Sequence, residues 1–266
     1  MTNALEVRDV AVSFGGVHAL RGVELAVAPG DIVGILGANG AGKTTLFDVI
    51  SGFVKPDRGT ISVTGADVTQ LSVRGRALRG LGRGMQDAGL FAALTVAEVV
   101  ALSCSRTMET PSLAAALTAW RSARRREGAI ADATDSAIAS FGLADFANKF
   151  VSELSTGTRR VVELACLAAQ RPSVLLLDEP SSGIAQREVE ALGRLILRMH
   201  EQLGCALLVI EHDIPMLSSI ARELVAMDQG QVVLRDTAKK VLRDKRVVEA
   251  YLGTNKAVVQ RSGAVA

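Results

Sequence analysis

The sequence predicts an α/β fold with a mainly parallel core sheet, an antiparallel β subdomain and a helical subdomain. Three observations carry this reading. The apolar run Ile32-Val33-Gly34-Ile35-Leu36 leads into the glycine-rich stretch GANGAGKTT, Gly37 to Thr45, which opens a helix-like run. Two later runs, Val174–Asp178 and Ala206–Ile210, are apolar at successive positions and alternate with helical patterns. Strands apolar on both faces belong to a parallel sheet covered on both sides. From about Ala97 to Phe150 the chain turns alanine-rich and helical in period.

The elements follow in order. Leu5–Phe14 alternates in part through Val7, Val10, Val12 and Phe14, and Val23–Val27 repeats the pattern. Ala28-Pro29-Gly30-Asp31 is a turn, and Gly59–Val63 a further short strand. Together these predict the antiparallel layer. Thr110-Pro111 supplies an N-cap with proline in the first helical position. Leu113, Leu117 and Trp120 then share one face, and Arg121, Arg124, Arg125 and Arg126 close that helix. Ile130–Phe141 is a second helix, and the helical subdomain spans about 97–158. After Leu154 come helix Arg159–Ala169, strand Val174–Asp178, helix Arg187–Leu203 and strand Ala206–Ile210. Leu224–Met227 and Gln231–Leu234, split by Asp228-Gln229-Gly230, form a hairpin. Residues 1–253 are read as one domain and 254–266 as a disordered tail.

Composition narrows the function. With 48% hydrophobic residues in 266 the core is well supplied. No apolar run approaches the ~18 residues of a membrane span. The opening MTNALEVRDV lacks the basic–apolar–small pattern of a secretory signal, so a soluble, cytoplasmic chain is expected. Cys104, Cys166 and Cys205 have no metal spacing and read as buried residues in a reducing compartment. A net charge of +2 and 3% aromatics argue against a nucleic-acid partner.

The chemistry is concentrated in a few segments. Gly37, Gly42, Lys43 and Thr44 fit G-x-x-x-x-G-K-[ST] between a strand and a helix, the context of a phosphate-binding loop. Its amides surround the α- and β-phosphates of a nucleoside triphosphate, Lys43 reaches the β- and γ-phosphates, and the Thr44 hydroxyl holds Mg²⁺. Asp178 and Glu179 end an apolar strand whose C-terminal end lies beside that loop in a parallel sheet. Asp178 is thus a Mg²⁺ ligand, directly or through water, and Glu179 the general base for the attacking water. His212 ends the next strand and can bond the γ-phosphate and that water. Gln86, after Gly82-Arg83-Gly84-Met85, can reach Mg²⁺ and the water just before the helical block. Ser155 caps a helix whose N-terminal amides suit an anion. His18 and His200 lack such a setting and are read as structural.

In this order the motifs resemble the ATP-binding subunit of an ABC transporter over about residues 5 to 253, a P-loop NTPase cassette. Gly37–Thr45, which includes Asn39, Gly40 and Thr45, is similar to the Walker A loop. Gln86 matches the Q-loop, Ser155–Thr158 with Gly157 the family signature, Val174–Glu179 the Walker B strand, and His212 the switch histidine. Phe14 stands where the family places an aromatic that stacks on adenine. The resemblance implies ATP and Mg²⁺ as cofactors and ATP hydrolysis coupled to transport. It also implies a head-to-tail pair with a second cassette, a homodimer or a related paralogue. Each ATP would lie between one Walker A loop and the other chain's signature.

Membrane permease subunits would be partners, placing the chain peripherally on the inner face of the cell membrane. Two departures stand out: the signature reads LSTGT, with Thr156 and Thr158 for glycine and glutamine, and Ala185 replaces the usual D-loop aspartate. Arg83-Gly84-Met85-Gln86, Leu90-Phe91, Leu94-Thr95-Val96, the insert near Thr110–Glu127 and the ending Val247–Gly253 resemble branched-chain amino acid importers, which implies a solute-binding protein as a further partner. Lipopolysaccharide-export ATPases share several of these cues. A soluble non-transport ABC ATPase and a regulatory subunit that barely hydrolyses are the other readings.

Overall fold

In the computed structural model, residues 2–84, 89–106 and 120–249 are described, without the side chains of 120–123. The helix start at Thr110-Pro111, the face Leu113, Leu117 and Trp120, the Arg121 side chain, Gln86 and the tail 254–266 lie outside them. The described residues divide into two compact units, one of residues up to 84 with 173–182 and 189–249, the other of 89–106 and 120–172 with 183–188.

The first unit holds two sheets. Strands β1 (Leu5–Phe14), β2 (Val17–Val27), β4 (Arg58–Val63) and β5 (Ala66–Asp67) form an antiparallel sheet in the order β2-β1-β4-β5. Gly15 and Gly16 turn β1 into β2 at φ 51° and 87°, the left-handed pair that a two-residue hairpin turn requires. Strand β2 begins earlier than the pattern suggested, because pairs such as Val12–Leu20 and Phe14–Val17 carry the ladder past Gly22.

The second sheet has the order β10-β9-β3-β8-β7-β6. Strands β3 (Ile32–Leu36), β6 (Leu81–Gly84), β7 (Val174–Asp178), β8 (Ala206–Ile210) and β9 (Glu223–Asp228) are mutually parallel, and β10 (Gln231–Thr237) returns antiparallel to β9. Every residue of β3, β7 and β8 is buried, as a sheet covered on both faces requires. One continuous core joins Leu5, Val7 and Ile61 of the first sheet, Phe47 and Ile50 of helix α1 (Lys43–Ser51), and Ile35, Leu176 and Leu208 of the second. Helix α2 (Val73–Leu78) locks α1 in place through Arg76. This guanidinium, 1% exposed, donates to the carbonyls of Val49 and Ile50 at 2.5 and 2.8 Å and to Thr69 at 2.7 Å. It satisfies acceptors at the helix end that would otherwise be buried bare.

The second unit is built on helices α3 (Val96–Ser105), α4 (Trp120–Ser140) and α5 (Thr156–Ala169). A capping box starts α3, with the Thr95 hydroxyl and the Glu98 carboxylate exchanging bonds with each other's backbone. The expected break between two helices after Arg126 is not there. Arg124–Arg126 lie early in α4, which runs on through Ile130. Gly128 keeps a helical backbone rather than the left-handed conformation that ends a helix, and its neighbours are good helix formers. Helix α6 (Gln186–Leu203) begins in this unit and continues in the first, where α7 (Ile214–Ile220), α8 (Ala238–Val241) and α9 (Lys245–Val247) also lie. The three cysteines are buried and form no disulfide, and burial pushes the Cys166 and Cys205 thiols up to about 11. They act as small apolar residues.

Candidate active site

Strands β3, β8 and β7 are parallel neighbours, so their C-terminal ends share one edge. The Gly37–Thr45 loop leaves β3 there, Asp178 and Glu179 leave β7, and His212 follows β8. The sheet thus gathers residues some 170 positions apart in sequence.

The loop is held tightly from behind. A Cβ at Gly37 would sit 2.4 Å from the Met227 carbonyl, and one at Gly42, where φ is +97°, 2.7 Å from that of Ala19. Neither position accepts a side chain. The β9–β10 turn buttresses the loop, since the Gly230 N–H donates to Ala41 at 3.1 Å. Gly37 is buried, while Asn39, Gly40 and Thr44 are exposed and Thr45 is half-buried.

Lys43, 6% exposed, opens α1 and bends its ammonium back over the loop, donating to the carbonyls of Gly37 at 2.7 Å and Ala38 at 3.1 Å. Burial pulls its pKa below the ordinary lysine value, and the charges of Glu179 and Asp178 oppose that pull. A cation held over a turn of amides, flanked by two acids, suits a polyphosphate with a divalent cation. The Thr44 hydroxyl and the Asp178 carboxylate are hard oxygen donors of the kind Mg²⁺ takes alongside phosphate oxygens.

Asp178 is 4% exposed. Burial pushes its carboxyl above the usual range, against the pull of Arg83. Arg83, on β6, reaches Asp178 at 3.3 Å and Asp48 of α1 at 2.7 Å, with its guanidinium 5.9 and 5.4 Å from the ring centroids of Phe47 and Phe53. The sequence reading used Arg83 only as a family cue. Its place three residues before Gln86, on a strand otherwise short of charge, was the available signal.

Glu179 sits at φ 47°, a left-handed backbone that non-glycine residues seldom adopt, and its N–H donates to Ile210 at 2.9 Å. Such strain is held in place by its surroundings and gathers at functional sites. Its Oε1 lies 2.9 Å from His212 Nε2. A carboxylate oxygen accepts, so Nε2 is the donor when it carries the ring proton. The two residues read from the sequence as base and switch histidine are thus paired.

Phe14 stands at the end of β1, 51% exposed, so it is not a core residue. His18 approaches Ser13 at 2.8 Å. In the second unit, Ser155 caps α5 and accepts from the Thr158 N–H at 3.2 Å, with the Thr158 hydroxyl 3.0 Å from its own. The departure at Thr158 therefore touches the serine read as part of the signature. A Cβ at Gly157 would lie 3.1 Å from the Glu188 carboxylate, and one at Gly183 3.3 Å from the Thr156 methyl.

The profile of the family described as ABC transporter matches residues 20–182. The chain is 32% identical to the high-affinity branched-chain amino acid transport ATP-binding protein BraF of Pseudomonas aeruginosa, over 94% of this chain and 97% of that one. It is also 32% identical to the lipopolysaccharide export system ATP-binding protein LptB of Haemophilus influenzae, again over 94% and 97%. Among solved structures, the ADP conformation of an ATP-binding cassette of an ABC transporter matches with a TM-score of 0.76 at 26% identity, over 95% of this chain and all of that one. Phosphate loop, paired acids, histidine and kinship agree: the chain belongs to the ABC transporter family, as an ATP-binding subunit that hydrolyses ATP.

Proposed function

We propose that the chain binds ATP with Mg²⁺ on the Gly37–Thr45 loop and hydrolyses it with Glu179 as base. The observation that carries this is the 2.9 Å bond between Glu179 and His212, on the strand edge that also holds Lys43 and Asp178. Lys43 exchanges its loop carbonyls for β- and γ-phosphate oxygens. Thr44 and Asp178 would hold Mg²⁺, with Gln86 as the third ligand read from the sequence, and the ion neutralises charge across those phosphates when bound. A carboxylate has several acceptor sites, so Glu179 can orient and deprotonate a water in line with the γ-phosphate. The His212 imidazole fixes the carboxylate through Nε2–H, and on turning away from it can give that same donor to a γ-phosphate oxygen. Phe14 lends a π-face to adenine. Ser155 and Gly157 serve the ATP of a second cassette, the same chain or a related one.

The work is transport through membrane permease subunits on the inner face of the cell membrane, with branched-chain amino acids or related small solutes as cargo and a solute-binding protein as a further partner. Similarity to BraF over almost the whole chain supports that cargo. The equal identity to LptB supports lipid or lipopolysaccharide export as the second reading.

Glu179→Gln keeps the shape of the base and removes its basicity. Phosphate release should fall by about 10²- to 10⁴-fold, with binding of a fluorescent ATP analogue retained. Equal hydrolysis by variant and wild type would remove Glu179 as the base. For cargo, deleting this chain's gene should abolish uptake of labelled leucine, isoleucine or valine. Normal uptake together with defective lipid export would select the second reading.

A further inference from the structure

Glu211 has no part in the chemistry above, yet its carboxylate is heavily bonded. It is 1% exposed. Oε1 accepts the Ser181 N–H at 2.7 Å, and Oε2 accepts the Ser181 hydroxyl at 2.8 Å and the His212 N–H at 3.0 Å, with the Asp213 N–H at 3.5 Å. One buried group therefore ties the segment after Glu179 to the segment that carries His212. Ser181 is two residues past the base, and the Ser182 N–H donates back to the Glu179 carbonyl at 3.0 Å. The chain passes from the first compact unit to the second between Ser182 and Gly183.

Burial of a carboxylate is costly unless its oxygens are satisfied. Here they are satisfied by backbone and hydroxyl donors rather than by a cation, so the bonds have direction. The Ser181 and His212 N–H groups must both point at one carboxylate, and this sets where the His212 backbone lies. The His212 ring then meets Glu179 at 2.9 Å.

We propose that Glu211 is a positioning residue for hydrolysis: by clamping Ser181 and the His212 backbone together, it holds the His212 ring against Glu179. The inference rests on the reading of Glu179 and His212 given above. It separates Glu211 from the groups that touch ATP, so nucleotide affinity should not depend on it while turnover should.

The test is a double-mutant cycle on the full chain, read as steady-state turnover, the KM for ATP and the binding of a fluorescent ATP analogue. Glu211→Gln replaces one acceptor by an NH₂ that faces an N–H donor, which breaks the clamp at nearly constant volume. Turnover should drop by about 10- to 100-fold, the usual scale for a misplaced catalytic group, with KM and analogue affinity within about threefold. In a His212→Ala background the same substitution should cost less than about threefold, because the ring it positions is gone. If the two losses multiply instead, or if KM rises in step with the fall in turnover, Glu211 is a structural residue and the inference fails. Should Glu211→Gln not fold, Ser181→Ala removes a single hydroxyl donor, and its smaller loss must likewise vanish in the His212→Ala background. His212→Ala with undiminished turnover would refute the site reading itself, and the role of Glu211 with it.

Discussion

Arg83→Met should destabilise the chain strongly while leaving every residue read as touching ATP unchanged. Methionine keeps much of the length and apolar bulk of arginine, so the loss is mainly of charge. Two carboxylates lose their partner. Asp178, with a side chain 5% exposed, was 3.3 Å from the guanidinium, and Asp48, 32% exposed, was 2.7 Å away. Removing one member of a buried pair costs about 3–5 kcal/mol. The Asp178 contact is single and long, and Lys43 still acts on Asp178 electrostatically, so the low end of that range applies. The Asp48 pair is partly solvated and adds at most about 1 kcal/mol. The sum is about 3–4 kcal/mol, and at roughly 2–4 °C per kcal/mol for a chain of this size the unfolding midpoint should fall by about 6–16 °C.

The origin of that loss can be isolated. Asp178→Asn in the Arg83→Met background removes the stranded charge and should recover more than half of the lost stability. The pH dependence has a definite sign. In the wild type, burial outweighs Arg83 and raises the Asp178 pKa. Without Arg83 it rises further. A raised folded pKa means that the folded state holds the proton more tightly, so stability is retained at low pH and lost as pH climbs through the carboxyl range. The gap between wild type and Arg83→Met should therefore widen from acid toward neutral pH. Thermal unfolding followed by circular dichroism at several pH values measures both effects. A midpoint shift below about 2 °C at neutral pH, or one that the second substitution leaves unchanged, would refute the reasoning.

Two other substitutions separate binding from fold. Lys43→Ala should weaken ATP binding and abolish turnover, since its ammonium is the cation already bonded to the loop at 2.7 Å; calorimetry with ATP and Mg²⁺ checks it, and unchanged affinity with unchanged turnover would overturn the site. Phe14→Ala should raise the KM for ATP severalfold and leave the unfolding midpoint within about 2 °C, because a side chain 51% exposed contributes little to the core; an unaltered KM would remove the stacking role.

The parts of the fold legible in the sequence were those whose signal is local. Strands β3, β7 and β8 coincide with their apolar runs, because a strand buried on both faces writes its limits in composition. Ser155 reads as a cap because capping is settled within four residues, and the structure places its bond to Thr158 there. Where the limits depend on partners, the reading fell short. Strand β2 reaches back to Val17 only because β1 lies opposite it. Helix α4 ignores Gly128, since a glycine ends a helix only when its backbone turns left-handed.

The site divides along the same line. Lys43, Asp178, Glu179 and His212 each sit at the end of a strand signal, so sequence could nominate them one at a time. What joins them is strand order, with β8 between β3 and β7, and no local pattern encodes that. Arg83 spans 35 residues to Asp48 and 95 to Asp178, and Glu211 spans 30 to Ser181. Both look like ordinary surface charges in the sequence. They are buried because the sheet places an acid, or a row of N–H donors, where each side chain must go. The register that aligns Asp178 with Ile210 sets the next residues of both strands, Glu179 and Glu211, one position beyond the ladder. Glu179 turns left-handed and meets His212, whereas Glu211 turns inward and ties His212 to the segment after Glu179. Two glutamates in matching positions thus meet different partners, the His212 ring for one and Ser181 with the His212 backbone for the other, and backbone conformation rather than residue type decides between them.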